Sequence, residues 1–134
     1  MGDMGALTLG VVLAALSIVL KFGSHPVGVS WMIPVLVLAL PVFDINLVIL
    51  TRLLEGRSPG EAGKDHTSHR LMSLGLSQRG ALLVLYGACG FFGFIGLMMG
   101  GLPTDTAWIV GILSISLLGV LFLTMMWVRR KFQL

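Results

Sequence analysis

The chain has 134 residues, of which 56% are hydrophobic and only 11% are charged, and its formal net charge is +3. Because a soluble domain of this size needs many more charges to cover its surface, this composition excludes an ordinary soluble domain and predicts a multi-pass membrane protein. The basic residues are clustered in a way that membrane topology explains, so the positive charge does not indicate nucleic-acid binding.

Four long apolar stretches predict four transmembrane helices. Even the shortest stretch, with 18 residues, would extend about 27 Å as a helix, which is enough to cross the hydrocarbon core of a bilayer. We therefore predict an all-α, polytopic membrane protein that forms one transmembrane module over residues 1–134. The predicted spans are residues 5–22, 31–54, 79–99 and 107–128, with a polar loop at about residues 55–78.

The second predicted span contains two prolines, Pro34 and Pro41. Because a proline removes a backbone hydrogen bond, we expect this helix to be kinked near Pro41. Asp44 follows the expected kink, and an acid at this depth is expected to face protein or water rather than lipid. A bond from Asp44 to a neighbouring helix is the simplest interpretation. A direct pair with Arg52 is not expected, because a spacing of eight residues places the two side chains on different faces.

Basic residues are concentrated around the polar loop and at the C-terminus, which hold eight of the nine Lys and Arg. Cytoplasmic flanks of membrane proteins carry an excess of these residues, so both regions and both termini are predicted to be cytoplasmic. Lys21 is the one base predicted on the opposite side. The eight clustered bases are Arg52, Arg57, Lys64, Arg70, Arg79, Arg129, Arg130 and Lys131.

The polar loop also contains His66 and His69, which share one face if the segment is helical. A zinc site is disfavoured, because no cysteine or third neutral ligand lies nearby. A solvated loop that joins two helices is an equally good interpretation of these residues. Arg52 and Arg57 are suited either to binding a phosphate or to anchoring a helix end at lipid head groups. Asp3 is suited to capping the first helix or to binding Mg²⁺, and spacing alone favours capping.

Three segments carry a family resemblance: MGDMGALTLG, PVFDINLVILTRLLEGRSP and KDHTSHRLMSLGLS. In this order and spacing they resemble the C-terminal half of the polyprenyl-phosphate N-acetylhexosamine-1-phosphate transferases. This family includes the undecaprenyl-phosphate GlcNAc-1-phosphate transferases and, more distantly, phospho-MurNAc-pentapeptide translocase. The motifs fall within residues 1–78, and the rest of the chain is similar only in its hydrophobic pattern.

The resemblance implies transfer of a sugar-1-phosphate from a UDP-sugar such as UDP-GlcNAc to a polyprenyl phosphate, with Mg²⁺ as cofactor, in cell-envelope polysaccharide synthesis. It implies that Asp3 is a metal ligand and that His66 and His69 are catalytic residues near the diphosphate. The substrate-binding residues that it implies are Arg52, Arg57, Ser68 and Arg70.

The sequence departs from the family pattern at several positions. Ser68 replaces the middle histidine of the loop motif, and a serine can hydrogen-bond a phosphate but cannot act as a base. Ala6 replaces the usual serine of the first motif. The paired aspartates that family members carry in an earlier loop are missing from the chain. Because one carboxylate does not complete a Mg²⁺ shell, we expect an incomplete transferase, inactive alone and completed by an N-terminal half or a second copy.

A protein of another class is the alternative, namely a standalone four-helix membrane transporter or assembly subunit whose cytoplasmic His and Arg residues bind a ligand. A structural membrane module without a site is a third possibility. The genomic sequence upstream of Met1 discriminates between them, because a transferase fragment predicts a preceding frame with further spans and an Asp-Asp loop.

Overall fold

The computed structural model describes residues 3–19, 25–58, 60 and 66–132, and this part of the chain is all-helical, as predicted. It contains six helices. They are α1 (Asp3–Val19), α2 (Val27–Val37), α3 (Ala39–Leu54), α4 (Thr67–Ser73), α5 (Gln78–Met99) and α6 (Thr104–Phe132).

Two of the described helices, α5 and α6, are each long and apolar enough to cross a membrane. Helices α2 and α3 form a third candidate span if they are counted together as one bent pair. Helix α1 is a shorter apolar helix, and the predicted first span extends beyond it into residues outside the described part. The described residues therefore support a membrane protein with two or three candidate spans, and the fourth span stays a prediction.

The predicted second span is not one kinked helix but two helices that meet at Leu38 and differ in direction by 79°. Pro41 accounts for the break, because it has no N–H to bond the carbonyl of Val37 and its ring occupies the space which that carbonyl needs. In α3, Pro41 lies in the first turn, where a backbone N–H has no partner within the helix. The Leu38 amide still donates to the Pro34 carbonyl at 2.9 Å, so α2 ends in a closed turn.

A small apolar core joins α2, α5 and α6. At Gly96 of α5 the helix lies close to the backbone of α2, since an added Cβ would be 3.1 Å from the Ile33 carbonyl oxygen and 3.1 Å from Cγ2 of Val37. Small residues allow such close backbone contact between membrane helices, which lack a hydrophobic driving force in lipid. The buried residues of this core are Val29, Ile33, Leu36, Ala39, Phe92, Met99 and Ala107.

Part of the predicted polar loop is folded as helix α4, which lies beside the longer helices. Thr67 and Ser68 line one groove with Leu85 and Cys89 of α5. At 1.5 Å per residue, those α5 residues are roughly 10–17 Å along the helix from its first residue. The predicted polar loop over residues 55–78 is therefore not confirmed at the histidine segment, which is helical. Burial of Thr67, Arg70 and Leu71 against the other helices is the reason.

Replacing Gly96 by leucine is expected to force α2 away from α5 and to lower the free energy of unfolding by about 1–3 kcal/mol, as overpacking of a close contact does. Thermal unfolding of the chain in lipid nanodiscs measures the change. Gly87→Leu is the matched control, because a Cβ at Gly87 of the same helix meets no atom within 4 Å. Equal losses at the two positions would contradict the close contact between α2 and α5.

Candidate active site

A carboxylate from α3 caps the N-terminus of α4. Oδ1 of Asp44 accepts hydrogen bonds from the backbone N–H of Thr67 at 2.7 Å and from its hydroxyl at 2.6 Å, and Oδ2 lies 2.7 Å from Nδ1 of His66. The first N–H groups of a helix have no partner within it, so a carboxylate is a favourable acceptor there. The predicted bond between Asp44 and a neighbouring helix is confirmed, and it holds His66 against α3.

Arg70 joins α4 to both α3 and α6. Its side chain is fully buried. Nη1 donates to the carbonyl oxygen of Met125 at 2.9 Å, and Nη2 donates to the hydroxyl of Thr51 at 2.8 Å. The Thr51 hydroxyl in turn donates to the Leu47 carbonyl. Because a buried guanidinium is costly unless acceptors surround it, these bonds determine where α4 can lie.

An ion pair joins the C-terminal end of α3 to α6. Arg129 makes two hydrogen bonds to Glu55, with Nε 2.7 Å from Oε1 and Nη2 2.8 Å from Oε2, and Arg57 approaches the same carboxylate at 3.4 Å. The hydrogen bond from Arg129 is the largest cause that lowers the pKa of the Glu55 carboxyl from its ordinary value. The pair also offsets the unfavourable position of an acid at a helix C-terminus.

The structure brings some of the predicted site residues together and buries others. His66, Ser68 and His69 lie at the start of α4, with His66 exposed and the other two partly exposed. Arg57 is partly exposed beyond the end of α3. Arg52 and Arg70 were predicted to bind substrate, but both are buried, and Arg70 bonds other helices instead of presenting its guanidinium to solvent.

The proposed ligand set for magnesium is not visible as a cluster of side chains in the described residues. Among them, no three His, Cys, Asp or Glu side chains lie close enough together to hold a metal ion. Both oxygens of Asp44 already contact His66 or Thr67. The side chain of Asp3, the predicted ligand, lies outside the described part of the chain, so its role as a metal ligand stays a prediction.

A groove of about 260 Å³ lies beside the capped end of α4. It combines three polar side chains, those of Asp44, Thr67 and Ser68, with a mainly apolar wall. A cleft with few polar groups among many apolar ones is typical of a small-molecule site. The other lining residues are Leu40, Pro41, Leu85, Tyr86 and Cys89.

Four residues that build this region were not predicted from the sequence as site residues: Thr67, Thr51, Glu55 and Arg129. An acid at the C-terminal end of a predicted helix is unfavourable to the helix dipole, so Glu55 was a signal that a cation must lie nearby. The two threonines carry no such signal, because their partners lie on other helices.

Replacing Thr51 by valine is expected to lower the free energy of unfolding by about 1–3 kcal/mol, because the buried Arg70 loses an acceptor while the side-chain shape is kept. Thermal unfolding in nanodiscs measures the loss. Thr51→Ser is the control, since it keeps the hydroxyl and removes only a methyl group. A larger loss for serine than for valine would show that shape, and not the hydrogen bond to Arg70, matters at this position.

Several curated proteins are similar to the chain, although no protein-family model and no solved structure matches it. The chain is 36% identical over 109 residues to a probable undecaprenyl-phosphate N-acetylglucosaminyl 1-phosphate transferase from Bacillus subtilis, a match that covers 81% of the chain and 29% of the relative. It is 33% identical over 104 residues to the decaprenyl-phosphate N-acetylglucosaminephosphotransferase of Mycolicibacterium smegmatis, covering 70% of the chain and 26% of the relative.

A more distant relative has a similar name. The chain is 28% identical over 102 residues to the undecaprenyl-phosphate alpha-N-acetylglucosaminyl 1-phosphate transferase of Pasteurella multocida, covering 73% of the chain and 27% of the relative. The chain thus spans less than a third of the length of these curated relatives, which fits the C-terminal part of such a protein. The resemblance drawn from the three motifs is confirmed, and the chain is a homologue of the polyprenyl-phosphate N-acetylglucosamine-1-phosphate transferases.

Proposed function

We propose that this chain forms the part of a polyprenyl-phosphate N-acetylhexosamine-1-phosphate transferase that presents the histidine motif. The observation that carries the proposal is the α4 end capped by Asp44, which holds His66 beside a groove with polar and apolar walls. The proposed reaction moves a sugar-1-phosphate from a UDP-sugar to a polyprenyl phosphate and releases UMP. The names of the relatives state an N-acetylglucosamine phosphate transfer that involves a polyprenyl phosphate, and they support that part of the proposal.

The exposed polar groups have separate proposed roles. His66 and His69 act at the diphosphate, and Ser68, which lines the groove, hydrogen-bonds a phosphate oxygen. Arg57 adds positive charge near the end of α3. Phosphoryl transfer depends mainly on positioning and on charge stabilisation, and polar groups of this kind are suited to both. Arg70 contributes by holding α4 in place.

The proposed Mg²⁺ dependence requires ligands beyond the described residues. We propose that Asp3 supplies one carboxylate and that the other ligands come from substrate phosphates and from segments of a longer transferase that this chain does not contain. Mg²⁺ is commonly held by one or two carboxylates together with substrate phosphates, which fits this division. The transporter alternative is not proposed, because the relatives described above are named as transferases.

We also propose four spans with both termini in the cytoplasm. The bond between Glu55 and Arg129 supports this topology, because it brings the ends of α3 and α6 together. The bases near the C-terminal ends of these two helices then lie at one end of the helical bundle, as the positive-inside rule requires.

Reporter fusions test the topology. Fusions after Gly63 and Leu134 are expected to report a cytoplasmic position, and fusions after Phe22 and Gly101 are expected to report the opposite side of the membrane, because basic flanks are retained in the cytoplasm. A cytoplasmic signal at Gly101 would exclude the proposed arrangement of spans.

A chimaera tests the proposed activity. The matching segment of the Bacillus subtilis relative is replaced by this chain, and UMP release from UDP-GlcNAc is measured with polyprenyl phosphate and Mg²⁺. We expect the chimaera to be active and the 134-residue chain alone to be inactive, because one carboxylate does not complete a Mg²⁺ shell. In the chimaera, Asp3→Asn should lower turnover by at least about 100-fold, as loss of a charged group at a phosphoryl-transfer site does.

The other variants of the chimaera separate the proposed roles. His69→Ala should lower turnover by about 100-fold or more. Ser68→Ala should lower it by roughly tenfold or less, because a single hydrogen bond is lost. Asp105→Asn is the matched control for Asp3→Asn, since Asp105 is exposed near the start of α6. Turnover by the chain alone would contradict the incomplete-site proposal, and full activity of Asp3→Asn would contradict the metal assignment.

A further inference from the structure

The contact between Asp44 and His66 requires a hydrogen on Nδ1 of the histidine ring. Nδ1 of His66 lies 2.7 Å from Oδ2 of Asp44, which is the distance of a strong hydrogen bond. An ionised carboxylate can only accept, so the hydrogen of this bond must be on Nδ1. In a neutral imidazole the lone pair is then on Nε2, and more than half of the His66 side chain is exposed (53%).

The carboxylate that makes this contact is itself fixed. Oδ1 of Asp44 accepts two hydrogen bonds from Thr67, so the carboxylate cannot rotate away from His66 without uncapping α4. The helix is held from its other side by Arg70, which bonds α3 and α6. The position of His66 therefore depends on contacts at two points of a seven-residue helix, and neither contact is local in sequence.

We propose that Asp44 is a positioning residue that holds His66 in the tautomer with hydrogen on Nδ1 and leaves Nε2 as the acceptor nitrogen for a ligand. A carboxylate placed in this way orients an imidazole and stabilises the imidazolium that forms when the other nitrogen takes a proton. The ligand chemistry that fits is the hydroxyl of a phosphate monoester. Its proton moves to Nε2, the electron pair stays on the phosphate oxygen, and the positive charge forms next to Asp44.

The catalytic meaning of this tautomer rests on the proposed transferase function, but the tautomer itself does not. The experiment that tests the tautomer therefore does not require an active enzyme. The full chain is labelled with ¹⁵N-histidine in lipid bilayers, and nitrogen spectra are recorded at mildly alkaline pH, where histidines are ordinarily neutral. His66→Gln assigns the His66 signals by removing them, and the signals of His25 and His69 serve as internal references.

The expected spectrum of the parent chain shows a protonated Nδ1 and an unprotonated Nε2 for His66. A protonated Nε2, in either the neutral or the charged ring, would overturn the proposal without any variant. Asp44→Asn offers an amide N–H in place of the acceptor oxygen, so we expect His66 to change to the tautomer with hydrogen on Nε2. An unchanged spectrum in this variant would show that Asp44 does not select the tautomer.

Asn46→Ala is the matched control on the same helix. Asn46 is exposed and its amide donates to the Val42 carbonyl of α3, with no bond to α4. Its replacement should leave the His66 signals unchanged. Retention of the His25 and His69 signals in Asp44→Asn shows that this variant remains folded. If the variant does not fold, the spectrum of the parent chain alone tests the predicted tautomer.

The chimaera provides a second test of the positioning role of Asp44. There, Asp44→Asn should lower kcat by about 100-fold, the lower range for general acid–base catalysis, with little change in KM for the UDP-sugar. An inactive chimaera together with the expected tautomer would refute the proposed function and leave the positioning role standing. An active chimaera with unchanged kcat in Asp44→Asn would overturn the positioning role and leave the function standing.

Discussion

The buried guanidinium of Arg70 is the constraint on which the arrangement around the histidines depends. A charge in this apolar setting must be surrounded by acceptors, and here they come from two other helices, as the Thr51 hydroxyl of α3 and the Met125 carbonyl of α6. A seven-residue helix is too short to be stable by itself. Its position beside α3, α5 and α6 therefore follows from Arg70 and from the apolar residues that are buried with it.

The cap at Asp44 depends on that position and on the break at Leu38. Because Pro41 forces α3 to start as a new helix with a direction 79° from that of α2, Asp44 falls in the second turn of α3, next to the end of α4. One carboxylate then satisfies the Thr67 N–H and hydroxyl and the ring N–H of His66. The position of the exposed imidazole beside the groove thus depends on the contacts of Arg70 and Asp44 and on the helix break at Leu38. Together these features restrict the position of the histidine segment.

The two ends of this polar region differ in what they offer a ligand. Near the end of α3, Glu55 neutralises Arg129 and approaches Arg57, so the carboxylate reduces the positive charge available to an anion there. At the start of α4, the contact with Asp44 restrains His66 while Ser68 lines the groove. That groove combines a mainly apolar wall with a few polar side chains, a mixture that is typical of a small-molecule site.

The amino-acid sequence by itself determined the helical membrane class, the clustering of bases and the three motifs that identify the relatives, because these depend on composition and on order along the chain. It also indicated that Asp44 needs a protein partner. Only the tertiary structure decided that the second span divides at Leu38, that the histidine segment is a helix beside α5, and that Arg70 is buried rather than exposed. The partners of Asp44 lie 22 and 23 residues away, and one partner of Arg70 lies 55 residues away. Contacts of that range are set by how helices pack, and no local pattern in the sequence encodes them.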